Sequence, residues 1–357
     1  MRAAVFHGRG DLRLEELPEP EPGPGEVKLR VRFAGICGTD LHELDHGPIF
    51  TPGDRAHPLT GVTNPVILGH ELAGEVVAAG EGVDDLAPGT LVAVDPIEAC
   101  ETCAFCRAGT PTLCPRRAAH GLSRAGGAFS EHTVVKRSMA HAIPAGVEPR
   151  AAAVVEPLSV GLHAVRRARL AAGDSALVLG LGPIGIAVAL GLRTLGVEPI
   201  VSDPSPRRRE AARALRLPHV LDPGRDDVVA TVRELTDGRG VDAAFDAAGV
   251  PASLDTALDA VAGGGAVVLV AVPLEPVRIA VPRLRRAEAT LVASGGALSH
   301  EFDDVIALVA AGAYELEPWT TTIAFDEIPR GFEALRRQEQ VKVLVDVAGT
   351  IGTTGAG

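Results

Sequence analysis

The sequence predicts an α/β protein of two domains, one mainly β and one built on a doubly wound parallel sheet. Up to about residue 150 the chain is rich in proline and glycine, and short β-branched runs such as 27–31 and 91–94 are typical of strands. From about residue 175, strand-like and helix-like segments alternate, which is the pattern of βαβ units in a parallel sheet. The length of 357 residues fits two domains better than one.

Strand-like and helix-like segments follow one another through the second half of the chain. A strand-like segment precedes a glycine-rich turn and a long apolar helix. The strand-like segments of this half are 176–179, 199–203, 241–246, 266–272 and 291–294, and helical segments are expected at 207–215 and 253–261. The last part contains helical segments near 302–311 and 328–337, the segment 320–325 and a strand at 341–347. The residues alone allow this last part to complete either domain.

Composition and charge narrow the class of partners. The chain carries 46 acidic and 34 basic side chains, a formal net charge of -12, and 46% hydrophobic residues. This acidic balance argues against nucleic acid or an anionic membrane surface as a partner. The N-terminal segment lacks the apolar core of a secretory signal, and the longest apolar stretch is interrupted by Gly and Pro. We therefore expect a cytoplasmic protein that does not span a membrane.

The spacing of four cysteines predicts a metal site. The chain has five cysteines, and an odd number in a large chain of this kind argues against a disulfide scaffold. Cys100, Cys103, Cys106 and Cys114 form a C-x2-C-x2-C-x7-C pattern, which lets four thiolates converge tetrahedrally on one zinc. Because protein ligands then fill all four positions, we expect a structural zinc that holds its lobe folded. The alternative is four free thiols, which would be prone to oxidation.

The fifth cysteine belongs to a second candidate metal site. Cys37 lies in the segment 35–42, which reads GICGTDLH, and the pair His70 and Glu71 follows the apolar run 66–68. One thiolate, one imidazole and one or two carboxylates would give zinc three or four ligands and still admit substrate, as in catalytic sites. Spacing alone leaves an alternative open, in which Cys37 is a core thiol and His70 a structural histidine.

A glycine-rich turn predicts a dinucleotide site. Residues 180–185 read GLGPIG, follow an apolar strand and open an apolar helix, which is the context that this motif requires. The glycines permit a tight turn and close approach to a pyrophosphate, which the helix N-terminus also favours. At the end of the next strand, Asp203 is expected to bind the ribose hydroxyls and to repel a 2′-phosphate, which favours NAD over NADP. The predicted cofactor-binding residues are Gly180, Gly182, Pro183, Ile184, Gly185, Asp203 and Arg208.

In combination, these motifs resemble those of the zinc-dependent medium-chain alcohol dehydrogenases, from residue 1 to about residue 347. In that family a G-x-C-G-[ST]-D-x-H element, matched here by 35–42, provides a catalytic zinc ligand and a proton relay. The resemblance therefore implies Cys37 as a ligand and Thr39 and His42 as the relay, by which the alcohol proton would leave while hydride passes to the nicotinamide.

The same resemblance implies the other ligands of the catalytic zinc. The family's G-H-E element is matched by 69–71, which assigns His70 and Glu71 to the site. A V-E-P-L element of the polyol branches is matched by 155–158, so Glu156 would be a further zinc ligand. The resemblance leaves open which of the two glutamates is the permanent ligand.

The resemblance also carries expectations about architecture and assembly. It implies a GroES-like catalytic domain over 1–155, an NAD-binding Rossmann domain over 156–296, and a segment 297–357 that completes the catalytic domain. It implies two zinc ions (Zn2+) per chain, NAD as the cofactor and a small alcohol or diol as the substrate. Relatives pair their Rossmann sheets edge to edge, so a homodimer or homotetramer is expected.

An insert before the His-Glu pair narrows the substrate class. The segments 40–43, 47–50, 57–61 and 68–71 are similar to those of 2,3-butanediol dehydrogenases, and sorbitol and threonine dehydrogenases usually lack this longer insert. We therefore expect an oxidoreductase that oxidises a secondary alcohol or a vicinal diol by hydride transfer, as in the conversion of 2,3-butanediol to acetoin. The alternatives are a dehydrogenase of a sorbitol-like polyol or of L-threonine, and a non-catalytic NAD-binding protein. The insert, residues 45–64, is interpreted as a lid, a pocket wall or an interface element.

Overall fold

The computed structural model describes residues 1–273 and 275–349, which form two compact units. The first unit comprises Met1–Glu156, Leu298–Gly312 and the described residues from Thr320 onward. The second comprises Pro157–Ala297, as far as described, and Ala313–Trp319. The predicted boundaries place the whole segment 297–357 with the first domain, whereas the structure groups 313–319 with the second unit.

The first unit is mainly β up to residue 154. Its strands are β1 (Arg2–Gly8), β2 (Asp11–Glu16), β3 (Glu26–Ile36), β4 (Val66–Ile67), β5 (Glu71–Ala79), β6 (Leu91–Val94), β7 (Ile97–Glu98), β8 (Ala118–Ala119), β9 (His132–Lys136) and β10 (Ala140–Ala142). Its α-helices are short and are α1 (Gly38–His46), α2 (Ala104–Arg107) and α3 (Pro149–Ala152). The scarcity of helix agrees with the β-branched, proline-rich sequence of this half.

The second unit alternates helix and strand. Its helices are α4 (Val155–Ala168), which begins in the first unit, α5 (Pro183–Thr194), α6 (Pro206–Ala214), α7 (Val228–Leu235), α8 (Pro251–Ala260) and α9 (Val281–Ala287). Its strands are β11 (Ala176–Leu179), β12 (Pro199–Ser202), β13 (His219–Leu221), β14 (Val241–Asp246), β15 (Val261–Leu269) and β16 (Thr290–Ala293). The strand β13 and the helices α7 and α9 were not apparent in the sequence pattern, because each is short.

All six strands of the second unit run parallel in the order β13-β12-β11-β14-β15-β16. This order reverses direction beside β11, so the sheet is the doubly wound Rossmann type that the sequence predicts. Ligands of such sheets bind beyond the carboxyl ends of the strands at this switch point. The glycine-rich turn that follows β11 therefore lies where the fold favours a ligand.

After the second unit the chain returns to the first. The returning elements are α10 (Ser299–Ala310), β17 (Thr320–Ala324), α11 (Ile328–Arg336) and β18 (Lys342–Asp346). Strand β18 pairs antiparallel with β3, in a sheet of order β10-β6-β5-β3-β18-β17 to which β9 is also joined through β3. The C-terminal part of the chain thus contributes to the central sheet of the first unit.

The core of the first unit supports the segment that carries the His-Glu pair. Phe129 and Phe332 are fully buried and pack edge to face, with ring centroids 6.1 Å apart. Gly69 adopts a φ of +93°, and a Cβ at this position would lie 2.9 Å from the ring of Phe129. Only glycine therefore fits before His70 without displacing the aromatic core. No helix within 1–273 and 275–349 is both long and apolar enough to cross a membrane.

Candidate active site

The four clustered cysteines form a compact lobe. Cys103 caps the N-terminus of α2, and its Sγ accepts a hydrogen bond from the Cys106 amide at 3.5 Å. The ligand atoms of Cys100, Cys103, Cys106 and Cys114 all lie within 4.8 Å of one another. Tetrahedral zinc with Zn–S bonds of about 2.3 Å requires sulfur separations of roughly 3.8 Å. The measured Sγ separations of 4.0 Å for Cys100–Cys106 and 3.4 Å for Cys103–Cys106 fit such an ion.

The lobe stabilises a thiolate at Cys100, whereas burial and the neighbouring thiols raise the pKa of Cys106 to about 12. The amide and hydroxyl of Thr102 and the guanidinium of Arg116 lower the pKa of Cys100 to about 5. All five cysteines of the chain are free of disulfide bonds in the structure. A deprotonated thiol among three others is the donor that zinc requires, so these residues fit a metal ion.

Three residues that are far apart in the chain converge at a second site. Cys37 follows β3, and Glu71 begins β5, which pairs antiparallel with β3 so that Gly35 lies opposite Glu71. This register brings the end of β3 to the start of β5. The ligand atoms of Cys37, His70 and Glu71 consequently lie within 4.8 Å of one another.

Gly35 leaves the room that this convergence needs. A Cβ at Gly35 would lie only 1.9 Å from Oε2 of Glu71 and 3.0 Å from Nζ of Lys342. Any other residue would therefore push the glutamate side chain away from its place over β3. In the GIC sequence of residues 35–37, the packing thus requires the glycine, and the cysteine is a candidate metal ligand.

Asp40 joins the two segments that carry these residues. Its Oδ2 accepts a hydrogen bond from the Cys37 amide at 2.9 Å, and its Oδ1 accepts one from the Gly69 amide at 3.3 Å. The same Oδ1 lies 3.4 Å from Nδ1 of His70, and the carboxylate is fully buried. Asp40 therefore joins the cysteine segment to the backbone just before His70, with its carboxylate beside the imidazole. The sequence analysis did not assign this residue, although its place within the GTD element offered a signal.

The electrostatics of this site favour a cation. Burial lowers the pKa of His70, but the carboxylate of Asp40 and the thiol of Cys37 outweigh burial and raise that pKa well above 6.5. Buried anions that bind a proton this strongly have the charge and the donor types that suit Zn2+. The residues present therefore fit a zinc ion at this position.

Lys342 supplies a buried positive charge beside Glu71. It begins β18, is fully buried, and its Nζ donates hydrogen bonds to Oε2 of Glu71 and to the Ile36 carbonyl, the latter at 3.0 Å. The chain has only three lysines, at 28, 136 and 342. A lone lysine among the apolar residues 341–345 was the available signal, and the sequence analysis did not use it.

Glu156 and Asp95 add two further carboxyl groups to this part of the first unit. Withdrawal from solvent and the nearby charge of Glu71 raise the pKa of Glu156 to about 8. Burial raises the pKa of Asp95 to about 6, and its Oδ1 accepts a hydrogen bond from the Ile97 amide at 2.9 Å. The carboxylate of Glu156 does not lie within 4.8 Å of all the ligand atoms of Cys37, His70 and Glu71. Its assignment as a zinc ligand stays a prediction.

Thr39 and His42 lie on α1, whose N-terminus is capped by Cys37. Their spacing of three residues places them on one face of the helix. Burial, and secondarily repulsion by His46, lowers the pKa of His42 below 6.5, so its imidazole is neutral at physiological pH. A neutral, half-buried imidazole is able to accept a proton, as the predicted relay requires.

The glycine-rich turn of the second unit has room for a ligand. Gly180 adopts a φ of +91°, and a Cβ at Gly185 would lie 1.8 Å from the Gly180 carbonyl oxygen, so both glycines are required by the turn itself. A Cβ at Gly182 would meet no atom within 4 Å. Pro183 and Ile184 open α5, with Gly182 at its N-cap. The open space at Gly182 and the free N-terminal amides of α5 fit a pyrophosphate.

Asp203 follows β12 and fixes this turn. Its Oδ2 accepts a hydrogen bond from the Leu181 amide at 2.7 Å, and its Oδ1 accepts one from the Ser205 amide at 2.7 Å. Nη1 of Arg208 lies 3.4 Å from Oδ2 of Asp203. The carboxylate is thus oriented at the carboxyl edge of the sheet, with a guanidinium close to it.

The chain belongs to the zinc-binding alcohol dehydrogenase family and is an oxidoreductase. Residues 23–145 match the family model of the alcohol dehydrogenase GroES-like domain, and residues 183–311 match that of the zinc-binding dehydrogenases. These matches confirm the predicted family and the fold of a GroES-like domain combined with a Rossmann domain.

Curated relatives include dehydrogenases of diols and of polyols. The chain is 39% identical over 352 residues to an (R,R)-butanediol dehydrogenase of Neisseria gonorrhoeae, covering 97% of this chain and 99% of the relative. It is 36% identical over 274 residues to a sorbitol dehydrogenase of Bacillus subtilis, covering 76% of this chain and 75% of the relative. These similarities support the same family, and dehydrogenases named for both substrate classes occur among the relatives of this chain.

Solved structures show the same fold. A 2R,3R-butanediol dehydrogenase from Bacillus subtilis is 38% identical with a TM-score of 0.90, covering 97% of this chain and 99% of that chain. A zinc-binding dehydrogenase from Sinorhizobium meliloti 1021, bound to NADP, is 32% identical with a TM-score of 0.88 and the same coverage. Relatives of this fold are thus not all associated with NAD.

Proposed function

We propose that the chain oxidises a vicinal diol of the 2,3-butanediol type to its acyloin, with reduction of NAD. The convergence of Cys37, His70 and Glu71 on one buried point carries this proposal. The diol class is supported by the insert at residues 45–64 and by the two butanediol dehydrogenases to which the chain is similar. The first domain, 1–155 with 297–357, would hold the substrate, and the domain 156–296 would hold the dinucleotide.

In this proposal Cys37, His70 and one of the glutamates bind zinc. Bound zinc supplies Lewis acidity, which lowers the pKa of an alcohol hydroxyl. Asp40 orients the imidazole of His70, and Lys342 offsets the charge of Glu71. Because Lys342 already engages Glu71, we assign Glu156 as the ligand and Glu71 as the residue that exchanges with it.

The chain's own residues remove the hydroxyl proton. Thr39 and His42 occupy one face of α1, and the lowered pKa of His42 keeps its imidazole ready to accept a proton. The second zinc site, formed by the four cysteines, holds its lobe and takes no part in the reaction.

We propose NAD as the preferred cofactor because Asp203 follows β12 beside the glycine-rich turn, where the dinucleotide motif has an acidic residue for the ribose. Its carboxylate would accept hydrogen bonds from ribose hydroxyls and repel a 2′-phosphate. The variant Asp203→Ser should raise kcat/KM for NADP relative to NAD, because Arg208 then remains beside the ribose without a competing anion. A wild-type enzyme with higher kcat/KM for NADP would refute the preference.

A polyol dehydrogenase is the second candidate, supported by the similarity to a sorbitol dehydrogenase. The test is NADH formation at saturating NAD with each stereoisomer of 2,3-butanediol, and with sorbitol, glycerol and L-threonine. The proposal predicts that one butanediol isomer has the highest kcat/KM. A higher kcat/KM for sorbitol would shift the assignment to the polyol branch, and no turnover of any of them would reject both.

We further propose a cytoplasmic homodimer or homotetramer. Strand β16 is at one edge of the parallel sheet and leaves a row of backbone groups that a second copy can pair with. Light scattering should give at least twice the 36.8 kDa of one chain, and a monomer would contradict the proposal.

A further inference from the structure

Most of the insert, residues 47–64, is ordered without regular secondary structure. These residues contain no helix or strand, yet several of their polar groups are paired. Asn64 donates from Nδ2 to Oγ1 of Thr51 at 3.2 Å, its amide donates to the Gly53 carbonyl at 2.9 Å, and Oγ1 of Thr60 donates to the Ser123 carbonyl at 2.7 Å. Such a segment needs an anchor, because its backbone lacks a sheet or a helix to satisfy it.

Glu43 provides that anchor. Its carboxylate is fully buried on α1, and its Oε1 accepts hydrogen bonds from the amides of Ile49, Phe50 and Thr51. Its Oε2 accepts a hydrogen bond from Oγ1 of Thr51 at 3.0 Å. No ion pair involving Glu43 occurs in the described ranges, so neutral donors alone satisfy this charge. One carboxylate thus holds the backbone of three successive residues.

At Gly47 the backbone passes very close to Glu43. The Gly47 amide donates to the Glu43 carbonyl at 2.8 Å, which ends α1. A Cβ at Gly47 would lie 2.4 Å from that carbonyl oxygen and 2.6 Å from Oε2 of Glu43. The chain can therefore turn back over the carboxylate only with glycine at this position.

The two buried carboxylates of α1 bind different segments of the chain. Asp40 bonds the segments that carry Cys37 and His70, and Glu43, three residues later on the same face, bonds the insert. The position of the insert relative to the proposed zinc ligands and relay is consequently fixed through one short helix.

We propose that Glu43 is a positioning residue that makes the insert a fixed wall of the substrate site and that Ile49 and Phe50 determine its preference for a short diol. This inference rests on the proposed diol oxidation. Ile49 and Phe50 are 42% and 38% exposed although apolar. Apolar side chains suit the terminal methyl groups of a four-carbon diol, and they disfavour a hexitol that must bury a hydroxyl on every carbon.

The test compares Glu43→Ala with Glu43→Gln and with a matched control. Glutamine keeps the carbonyl oxygen that accepts the three amides, so it should stay close to wild type, whereas alanine removes the acceptor. The control is Asp45→Asn, because Asp45 lies on the helical end of the insert and pairs with Arg336 rather than with residues 49–51. Measurements are amide hydrogen exchange at residues 49–51, zinc content, and kcat and KM for 2,3-butanediol and sorbitol.

We expect Glu43→Ala to exchange the amides of 49–51 at least tenfold faster and to retain its zinc. Its KM for butanediol should rise roughly tenfold with little change in kcat, and its preference over sorbitol should fall by a similar factor, since loss of positioning weakens substrate binding. Unchanged exchange at 49–51, or faster exchange with unchanged KM and preference, would overturn the proposal.

A second variant keeps the test decisive if Glu43→Ala fails to fold. Phe50→Ala leaves the anchor intact and removes one proposed contact, so it should lower the preference for butanediol over sorbitol, and an unchanged preference would overturn the proposal. If the wild type oxidises neither substrate, the proposed function fails, whereas the exchange rates of the Glu43 variants still decide whether this residue anchors the insert.

Discussion

The four-cysteine lobe and the site of Cys37, His70 and Glu71 are built in opposite ways. The lobe draws its donors from residues 100–114, a largely exposed segment with only short helical turns, in which three of the four cysteines are half-buried. The second site lies where the end of β3 meets the start of β5. Lys342 lies beside it and donates a hydrogen bond to the carbonyl of Ile36, which is 306 residues earlier in the chain. The lobe is a local structure, whereas the buried site is part of the central sheet.

The two sites also differ in charge. The lobe offers four thiols and the guanidinium of Arg116, whereas the buried site combines a thiol, an imidazole and several carboxyl groups with one lysine. Closing four positions with thiolates suits a structural ion. A mixed donor set with charged neighbours suits an ion whose reactivity the protein adjusts. Perturbing each site should therefore have different consequences for stability and turnover.

The largest effect on folding is expected at Lys342. Lys342→Met leaves Glu71 buried without its cation, which should lower the free energy of unfolding by about 3–5 kcal/mol. The control is Lys28→Met, since Lys28 is also buried but pairs with the exposed Glu19 and Glu21, so its loss should cost about 1 kcal/mol. Urea unfolding measures both. An equal loss of unfolding free energy in the two variants would contradict a special role of the Lys342–Glu71 pair. The double variant Lys342→Met with Glu71→Gln should recover part of the loss.

Breaking the lobe should affect stability more than turnover. Cys103→Ser removes one sulfur donor and the cap of α2, and it should release one zinc and lower Tm by roughly 5 °C or more. Turnover per folded molecule should stay within about twofold of wild type, because the lobe supplies none of the proposed catalytic zinc ligands or relay residues. Full thermal stability after loss of that zinc would contradict the structural role.

A smaller and more specific effect is expected at His42. His42→Ala should lower kcat by about 100-fold near neutral pH, with partial recovery at high pH where solvent accepts the proton. In the wild type the acid limb of kcat should lie below pH 6.5, because burial and His46 lower the pKa of His42. His46→Ala is the control on the same helix, and it should keep kcat near the wild-type value while moving the acid limb to higher pH, because it removes one cause of the lowered His42 pKa. A pH profile of His42→Ala that matches the wild type would rule out the relay.

At neutral pH the smallest effect is expected at His120, which is not one of the proposed metal ligands. Burial lowers the pKa of His120 to about 3, and its Nε2 lies 3.0 Å from Oγ1 of Thr133. Between pH 6.5 and about 3 the unfolded chain binds a proton that the folded chain does not, so stability falls as the pH falls through this window, by up to about 1.4 kcal/mol per pH unit. His120→Asn should reduce this slope. An unchanged slope of unfolding free energy against pH would contradict this account.

The lobe was predictable from the sequence, and the supports of the buried site were not. Four cysteines at short spacing define their site without knowledge of the fold, and the GLGPIG turn is equally local. Cys37, His70 and Glu71 could be named only through family motifs, because their meeting depends on the register of β3 against β5. Lys342 stands out locally only as a lone lysine in an apolar run, and its meeting with Glu71 depends on a further strand pairing between β18 and β3.

The same distinction applies to the fold. The strands of the parallel sheet were predicted from apolar runs of four to seven residues, whereas β13, with three residues, and the short helix α9 carry too little periodicity to stand out. The role of Glu43 was not foreseen either, since a glutamate in a helical segment normally faces solvent. Its burial follows from the turn at Gly47, which brings three amides over the carboxylate.

The most direct test of the central claim is the zinc content and the NADH formation of Cys37→Ser beside the wild type. The account predicts two zinc ions per chain in the wild type, and one in a folded Cys37→Ser enzyme that does not oxidise 2,3-butanediol. Turnover close to wild type by Cys37→Ser with a single remaining zinc would contradict the assignment of the buried site as the catalytic metal centre.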